Sequence, residues 1–406
     1  MTDSNKQFAS SSIPPSGGGG ATSSLNPPSG GRGAALKKNI AVIFGDGIGP
    51  EVTRQSIKVL QAVGQQFDHQ FTYTYCLMGA DAIDKTGNPL PDETIEVCLN
   101  SDAILFGAIG HPKYDNDPTA KVRPEQGLLK IRKTLQLYAN IRPIITYPAL
   151  QHLSPLKTEK LEGVDFIIFR ELTGGIYFGK KEVNEDYTEA SDLCVYNKSE
   201  IERIAHLAFQ AAQKRRKKLT LVDKANVLET SRLWRKVVQE IAKEYADVSV
   251  DYMFVDNAAM QIIINPKQFD VMLTENMFGD ILSDEASVLS GSLGLLPSAS
   301  VGVSTAMFEP IHGSYPQAAG KDIANPIGSI LSAAMMLEYF DMYEEAKLVK
   351  DAVAWTQSNG FVTKDINTES FYFTNTIGDL ISDYVNNRIP SDINPENIEL
   401  RKSTII

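Results

Sequence analysis

Short apolar runs alternate with helical patterns along nearly the whole chain, and this alternation constrains the fold more than any other feature. Runs at 40–44, 71–78 and 102–109 are separated by helical periodicity over 50–67 and again after Pro91. Further runs follow at 140–147, 164–169, 219–222, 248–255 and 269–273. Strands that are apolar throughout are buried on both faces, and the helices between them supply the cover. The chain is therefore expected to be α/β, and its 406 residues suffice for two or three domains. Several runs end in a polar cluster, and α/β proteins carry their chemistry outside the carboxyl ends of strands. The helical stretch 326–340, with Ile327, Ile330, Leu331, Ala334 and Met335 on one stripe, is expected to pack in the core.

Directly after the first run come Gly45, Asp46, Gly47, Ile48, Gly49, Pro50 and Glu51. The spacing is not G-x-G-x-x-G, and no acidic residue clearly closes a second strand about 20 residues on, so this is not read as a Rossmann fingerprint. It reads as a tight turn made possible by glycine, with Pro50 preset for the first helical turn and Glu51 favourable beside it.

Composition narrows the function classes. The chain is 43% hydrophobic and 22% charged, as in an ordinary globular protein. A net charge of −11 argues against nucleic acid as the main partner. The one basic run, Lys214, Arg215, Arg216, Lys217 and Lys218, follows a helical pattern and is expected to sit at a helix C-terminus. Three scattered cysteines, Cys76, Cys98 and Cys194, give neither a disulfide framework nor metal-ligand spacing. No run of 18 apolar residues offers a membrane span. Residues 1–36, built from Ser, Gly, Pro, Ala and Asn, are expected to be disordered and carry neither an apolar signal core nor an Arg-rich transit pattern. A cytoplasmic location is expected.

Polar clusters at the ends of the runs carry the chemistry. Asp280 and Asp284 lie four residues apart on a helical pattern and so share one face. Two like charges that close call for a cation, and a hard divalent ion suits an all-oxygen site; the alternative is two acids facing water near a helix start. Asp256, after the run at 248–255, is a candidate third oxygen ligand. Arg132 and Arg142, with Arg170 at the end of the run at 164–169, suit a polycarboxylic acid, because guanidinium groups fork onto carboxylates. Tyr177 stands between glycine-rich turns, placed either to donate a proton or to pack in the core. Lys224 ends the run at 219–222, either as a general base or as a surface lysine.

Together these clusters resemble the metal-dependent β-decarboxylating dehydrogenases, a family that includes isopropylmalate, isocitrate, homoisocitrate and tartrate dehydrogenases. The strings 172–179, 223–228, 276–294 and 309–314 carry the resemblance, which runs from about Asn39 to Asn387. It implies a two-domain isopropylmalate/isocitrate dehydrogenase-like α/β fold, not a Rossmann fold. Residues 37–137 and 291–406 would form the first, cofactor-binding domain, and residues 138–290 the second, which would bear the metal, the catalytic groups and the dimer contact. It further implies a homodimer with shared active sites. Asp280 and Asp284 of one chain and Asp256 of the other would bind Mg²⁺ or Mn²⁺, and the three arginines would hold the substrate carboxylates. Lys224 of the second chain would help deprotonate the C2 hydroxyl, and Tyr177 would protonate the enolate left by loss of CO₂.

Within such a family, substrate choice is written on the helix bearing Arg132. Here it offers Glu125, Leu128 and Leu129, and an apolar contact suits an isopropyl group while leaving a third carboxylate unpaired. The expected reaction is oxidative decarboxylation of 3-isopropylmalate, a step of leucine biosynthesis. The cofactor loop would comprise His312, Gly313, Ser314, Tyr315, Pro316, Gln317 and Ala318, with Asn325. Gln317 stands where NAD-specific members usually carry an aspartate. It can still bond a ribose hydroxyl but does not repel a 2′-phosphate, so NAD is expected with weakened discrimination.

Overall fold

A computed structural model describes residues 35–117 and 120–387. The disorder expected for residues 1–36 lies outside the described residues except at Ala35 and Leu36. Strands form at β1 (Lys37–Gly45), β2 (Gln70–Cys76), β3 (Ala103–Ala108), β4 (Ala139–Ile145), β5 (Asp165–Glu171) and β6 (Lys181–Val183). They continue at β7 (Ala190–Asp192), β8 (Lys218–Asp223), β9 (Ser249–Phe254), β10 (Val271–Thr274), β11 (Pro297–Val301) and β12 (Ala306–Pro310). Every apolar run became a strand. β3 and β10 are buried along their full length, as expected for strands covered on both faces.

Ten strands form one mixed sheet in the order β2-β1-β3-β12-β11-β4-β5-β10-β8-β9. The first five in this order come from the two ends of the chain and the last five from its middle. They join through β11 and β4, where Ala299 lies opposite Ile141 and Val301 opposite Ala139. β4 runs antiparallel to both of its neighbours, whereas β5, β10, β8 and β9 are mutually parallel. Arg170 thus sits between Asn140 of β4 and Thr274 of β10. Since β10 ends at Thr274, the helix Asn276–Ser287 starts beside Arg170.

The Gly45–Gly49 turn does more than reverse the chain. Gly47 adopts φ +60°, and a Cβ there would lie 1.9 Å from the Ser314 carbonyl oxygen. Only glycine lets that carbonyl come in to accept the Ile48 N–H at 2.8 Å. The Glu51 carboxylate accepts the Gly320 N–H, so both ends of the segment 314–320 dock on the turn. Asp46, 4% exposed, accepts the N–H groups of Ala80 at 2.8 Å and Gly110 at 3.0 Å.

Two expectations hold and gain detail. The helix Ile327–Tyr339 is buried on every side rather than along one stripe, because it is wedged between the sheet and the helices Gly49–Phe67 and Tyr343–Ser358. The basic run begins at a helix C-terminus, as expected, and takes on a further role. The preceding helix ends at Gln213, and Arg215 turns inward to bond Asp270 Oδ1 at 2.8 Å and Asp165 Oδ1 at 2.7 Å. Asp165 opens β5 and Asp270 immediately precedes β10, so the guanidinium clamps the amino ends of two central strands. Removing Asp270 leaves the buried Arg215 guanidinium with only the partly exposed Asp165 carboxylate. Asp270→Ala is expected to cost about 3–5 kcal/mol, read as a lower urea midpoint; an unchanged midpoint would show the clamp to be dispensable.

Candidate active site

The arginines meet at the junction of the two halves of the sheet. Arg132, on the helix Pro124–Thr134, donates from Nη2 to Glu309 Oε1 at 2.9 Å, and Glu309 lies on β12. Arg142 on β4 donates from Nε to Asn140 Oδ1 at 2.7 Å and from Nη1 to Asp284 Oδ1 at 3.2 Å. Arg170 on β5 donates from Nη1 to Asp280 Oδ1, and from Nε and Nη2 to Asn276 Oδ1. Burial is the main cause that pulls Arg170 down to about 10, with the Arg142 charge adding to it. Burial likewise lowers Arg142. A cleft lined by Leu128, Arg132, Arg142, Glu309 and His312 opens beside them.

Asp280 and Asp284 lie one turn apart on the helix Asn276–Ser287, as the spacing predicts. Tyr177, at the end of the 3₁₀ turn Gly175–Tyr177, is 38% exposed rather than packed in the core. Its hydroxyl donates to Asp280 Oδ2 at 3.0 Å, and burial followed by the Asp280 charge raises its pKa. The two carboxylates fit a hard divalent cation. Among the described residues no three His, Cys, Asp or Glu stand together as a metal group. Asp256 is not on a strand end but at the second position of the helix Val255–Ile264. There its carboxylate, 65% exposed, accepts from Lys224 Nζ at 2.8 Å. The Lys224 side chain, 26% exposed, therefore stands ion-paired to a surface carboxylate within a single chain. Around this pair Val227, Met260 and Ile264 are more than half exposed, as is Ile281 on the helix of Asp280.

Of the substrate-helix candidates, Leu128 lines the cleft while Leu129 is 44% exposed and lies outside the lining. Adjacent helical residues point about 100° apart, so both leucines do not face one ligand. Glu125 reaches instead toward Gly110, its Oε1 lying 3.0 Å from where a Cβ on that glycine would be.

On the loop expected to hold the cofactor, His312 lines the cleft with Gly313. His312 Nδ1 bonds the Gly313 carbonyl at 3.0 Å, while its buried Nε2 has no hydrogen-bond partner. Burial also lowers the His312 pKa. An orphaned ring nitrogen in a polar cleft fits a ligand that hydrogen-bonds there, as a dinucleotide would. Tyr315 adopts φ +38° and is exposed, Pro316–Ala318 form a 3₁₀ turn, and Gln317 is exposed. Asn325 is buried and donates to Asp365 Oδ2 at 3.1 Å. Asp365, which also accepts from Ser292 and Thr363, was missed in the sequence, as were Glu309 and Asn276. Asn276 and Glu309 fall within the strings that carry the resemblance, a signal that could have marked them; nothing local marks Asp365.

Glu275, just before Asn276, is 5% exposed, and its Oε2 has no partner. Burial, then the Glu171 charge, pushes its pKa from 4.5 up to about 7. A carboxyl raised in the folded state binds more protons there than in the unfolded chain, so stability is lost as pH rises from 4.5 to 7. Glu275→Gln is expected to stabilise the protein by on the order of 2–3 kcal/mol at pH 8 and by little near pH 4.5. Urea midpoints at the two pH values test this, and equal shifts at both would sink it.

The sequence profile of the isocitrate/isopropylmalate dehydrogenase family matches residues 39–381. A 3-isopropylmalate dehydrogenase of Bacteroides fragilis is 57% identical over 348 residues, which cover 85% of this chain and 98% of the relative. A 3-isopropylmalate dehydrogenase of Bacillus subtilis is 54% identical over 349 residues, covering 84% and 95%. Among solved structures, isocitrate dehydrogenase from Methylococcus capsulatus superposes with a TM-score of 0.78 at 35% identity, covering 86% of this chain and 99% of that one. A β-decarboxylating dehydrogenase from Thermococcus kodakarensis gives 0.73 at 37% identity, covering 86% and 96%. With its arginines, paired aspartates and tyrosine gathered at the junction of one mixed sheet, the chain belongs to the isocitrate/isopropylmalate dehydrogenase family.

Proposed function

We propose that the chain oxidises and decarboxylates 3-isopropylmalate to 4-methyl-2-oxopentanoate, with NAD as the electron acceptor. The observation that carries this reading is the cleft itself, where Arg132 and Arg142 stand beside Leu128. Two guanidinium groups meet carboxylates and one apolar wall meets a branched alkyl group. The names of the Bacteroides and Bacillus relatives agree with it.

A dinucleotide bound at the loop 312–318 would accept the C2 hydrogen with its electron pair, and a divalent cation on Asp280 and Asp284 would polarise the C2 oxygen. The protein's own groups do the rest. Arg132, Arg142 and Arg170 orient the two carboxylates, Lys224 takes the C2 hydroxyl proton, and Tyr177 donates a proton to the carbon that loses CO₂. The bond between that carbon and its carboxylate breaks, its electron pair forms the enolate, and the Tyr177 proton converts the enolate to the 2-oxo acid.

Two copies would share each site. A single chain supplies two of the metal-binding acids, and Asp256 and Lys224 lie beside the exposed Val227, Met260 and Ile264. An apolar surface next to unfinished chemistry fits a second copy that brings its own Asp256 and Lys224. We assign residues 37–137 with 291–406 to the cofactor-binding domain and residues 138–290 to the metal and dimer domain. This division follows the change in strand origin between β11 and β4. No helix among the described residues is long and apolar enough to cross a membrane.

Purified protein with Mg²⁺ is expected to reduce NAD with 3-isopropylmalate far faster than with isocitrate, D-malate or tartrate. Leu128→Ala is expected to lower kcat/KM for 3-isopropylmalate by roughly 10- to 100-fold and for D-malate by much less. Equal losses would remove the apolar-wall argument. Gln317→Asp is expected to raise the NAD over NADP ratio of kcat/KM through charge repulsion of the 2′-phosphate. No gain in that ratio would place cofactor discrimination elsewhere.

A further inference from the structure

Asn276 opens the helix that carries Asp280 and Asp284, and it is 1% exposed. Its backbone N–H and both ends of its amide are in use, each on a different part of the site. The backbone N–H donates to the Tyr196 hydroxyl at 3.0 Å. Oδ1 accepts from Arg170 Nε at 3.1 Å and from Arg170 Nη2 at 2.9 Å. Nδ2 donates to the Gly174 carbonyl at 3.2 Å. A guanidinium only donates and a carbonyl only accepts, so chemistry fixes which way the amide faces. Asparagine is also the one side chain of that length that offers an acceptor and a donor side by side.

The Gly174 carbonyl belongs to the turn that delivers Tyr177. Its own N–H is held by Glu171 Oε2 at 2.7 Å, and Thr173 N–H by Glu171 Oε1 at 2.9 Å. A Cβ on Gly174 or Gly175 would fall 2.7 Å or 2.3 Å from the Tyr196 side chain, so the turn rests flat on that ring. From there Tyr177 reaches Asp280, and Asp280 reaches back to Arg170. The contacts form a closed ring from Asn276 through Gly174, Tyr177, Asp280 and Arg170 to Asn276. Asn276 is its one side-chain member with no assigned contact to substrate or metal.

We propose that Asn276 is a positioning residue for the proton-transfer step, its single amide holding the Tyr177 turn and the Arg170 guanidinium in fixed register. This rests on the reading of Tyr177 as proton donor. Substrate orientation and proton delivery are then set by one group. Misplacing the hydroxyl relative to a substrate held by Arg170 slows protonation without loosening capture by Arg132 and Arg142.

Asn276→Asp keeps an acceptor for Arg170 but sets a carboxylate oxygen against the Gly174 carbonyl, where the two repel. Asn276→Ser, which is too short for the Gly174 contact, serves if the aspartate variant does not fold. The folded variant is expected to lose on the order of 10- to 100-fold in kcat with KM for 3-isopropylmalate nearly unchanged. Its solvent deuterium isotope effect on kcat is expected to rise, which a general loss of structure does not produce. In a Tyr177→Phe background the same change is expected to add nothing, because the two act as one unit. Unchanged kcat and isotope effect, or losses that multiply in the double variant, overturn the proposal. A wild-type enzyme inert toward 3-isopropylmalate, or one indifferent to Tyr177→Phe, overturns the functional reading itself, so the two failures are told apart.

Discussion

Arg132 and Arg142 line the cleft and Arg170 lies buried within reach of their charge, so three positive groups repel one another across little solvent. Each is met by a different carboxylate: Glu309 for Arg132, Asp284 for Arg142 and Asp280 for Arg170. The requirement for those acids fixes the architecture around them. Glu309 must come from the far end of the chain on β12, and the two aspartates must project from one helix that starts beside β5. The acids that neutralise Arg142 and Arg170 are also the pair suited to a cation. A cation and a dicarboxylate therefore match the site's charges together better than either does alone, since each would satisfy the partners the other displaces.

The sheet is what brings these groups within reach. β4 lies antiparallel between β11 and β5, so it crosses the sheet between its two differently derived halves. Arg142 on β4 and Arg170 at the end of β5 then face the same helix, although 28 positions separate them in the chain. On the other side, Gly47 lets the Ser314 carbonyl approach the first turn, which docks the loop 312–318 to the turn after β1 by a backbone hydrogen bond instead of a side chain. Both devices depend on close backbone approach. A side chain added at Gly47 would undock the loop without touching any polar group of the cleft.

Much of this was legible in the sequence, and the parts that were not have identifiable causes. Apolar runs became strands because burial on both faces leaves a composition signal that needs no partner to read. The Asp280 and Asp284 spacing was legible because helical periodicity is local. The inward turn of Arg215 was not, since Asp165 and Asp270 lie 50 and 55 positions away in the chain. The hairpin β6–β7 escaped notice because its strands are three residues each and exposed, with no apolar pattern to mark them. Asp256 was assigned to a strand end from the apolar run at 248–255, whereas the strand stops at Phe254 and Val255 already begins a helix. Leu129 shows the limit of reading a pair of neighbours as one surface, because the helix turns the second leucine out of the cleft that the first one lines.

The most informative feature is the difference in completeness between the two sets of polar groups. Arg170, Asn276, Tyr177 and Asp280 close on one another within a single chain. Lys224 and Asp256 pair with each other away from that ring of contacts, on segments that also carry the exposed Val227 and Met260. On the reading proposed above, a second copy covering this surface would bring the Lys224 and Asp256 pair to the Asp280 helix, which ties the proposed chemistry to assembly through two residues of the chain.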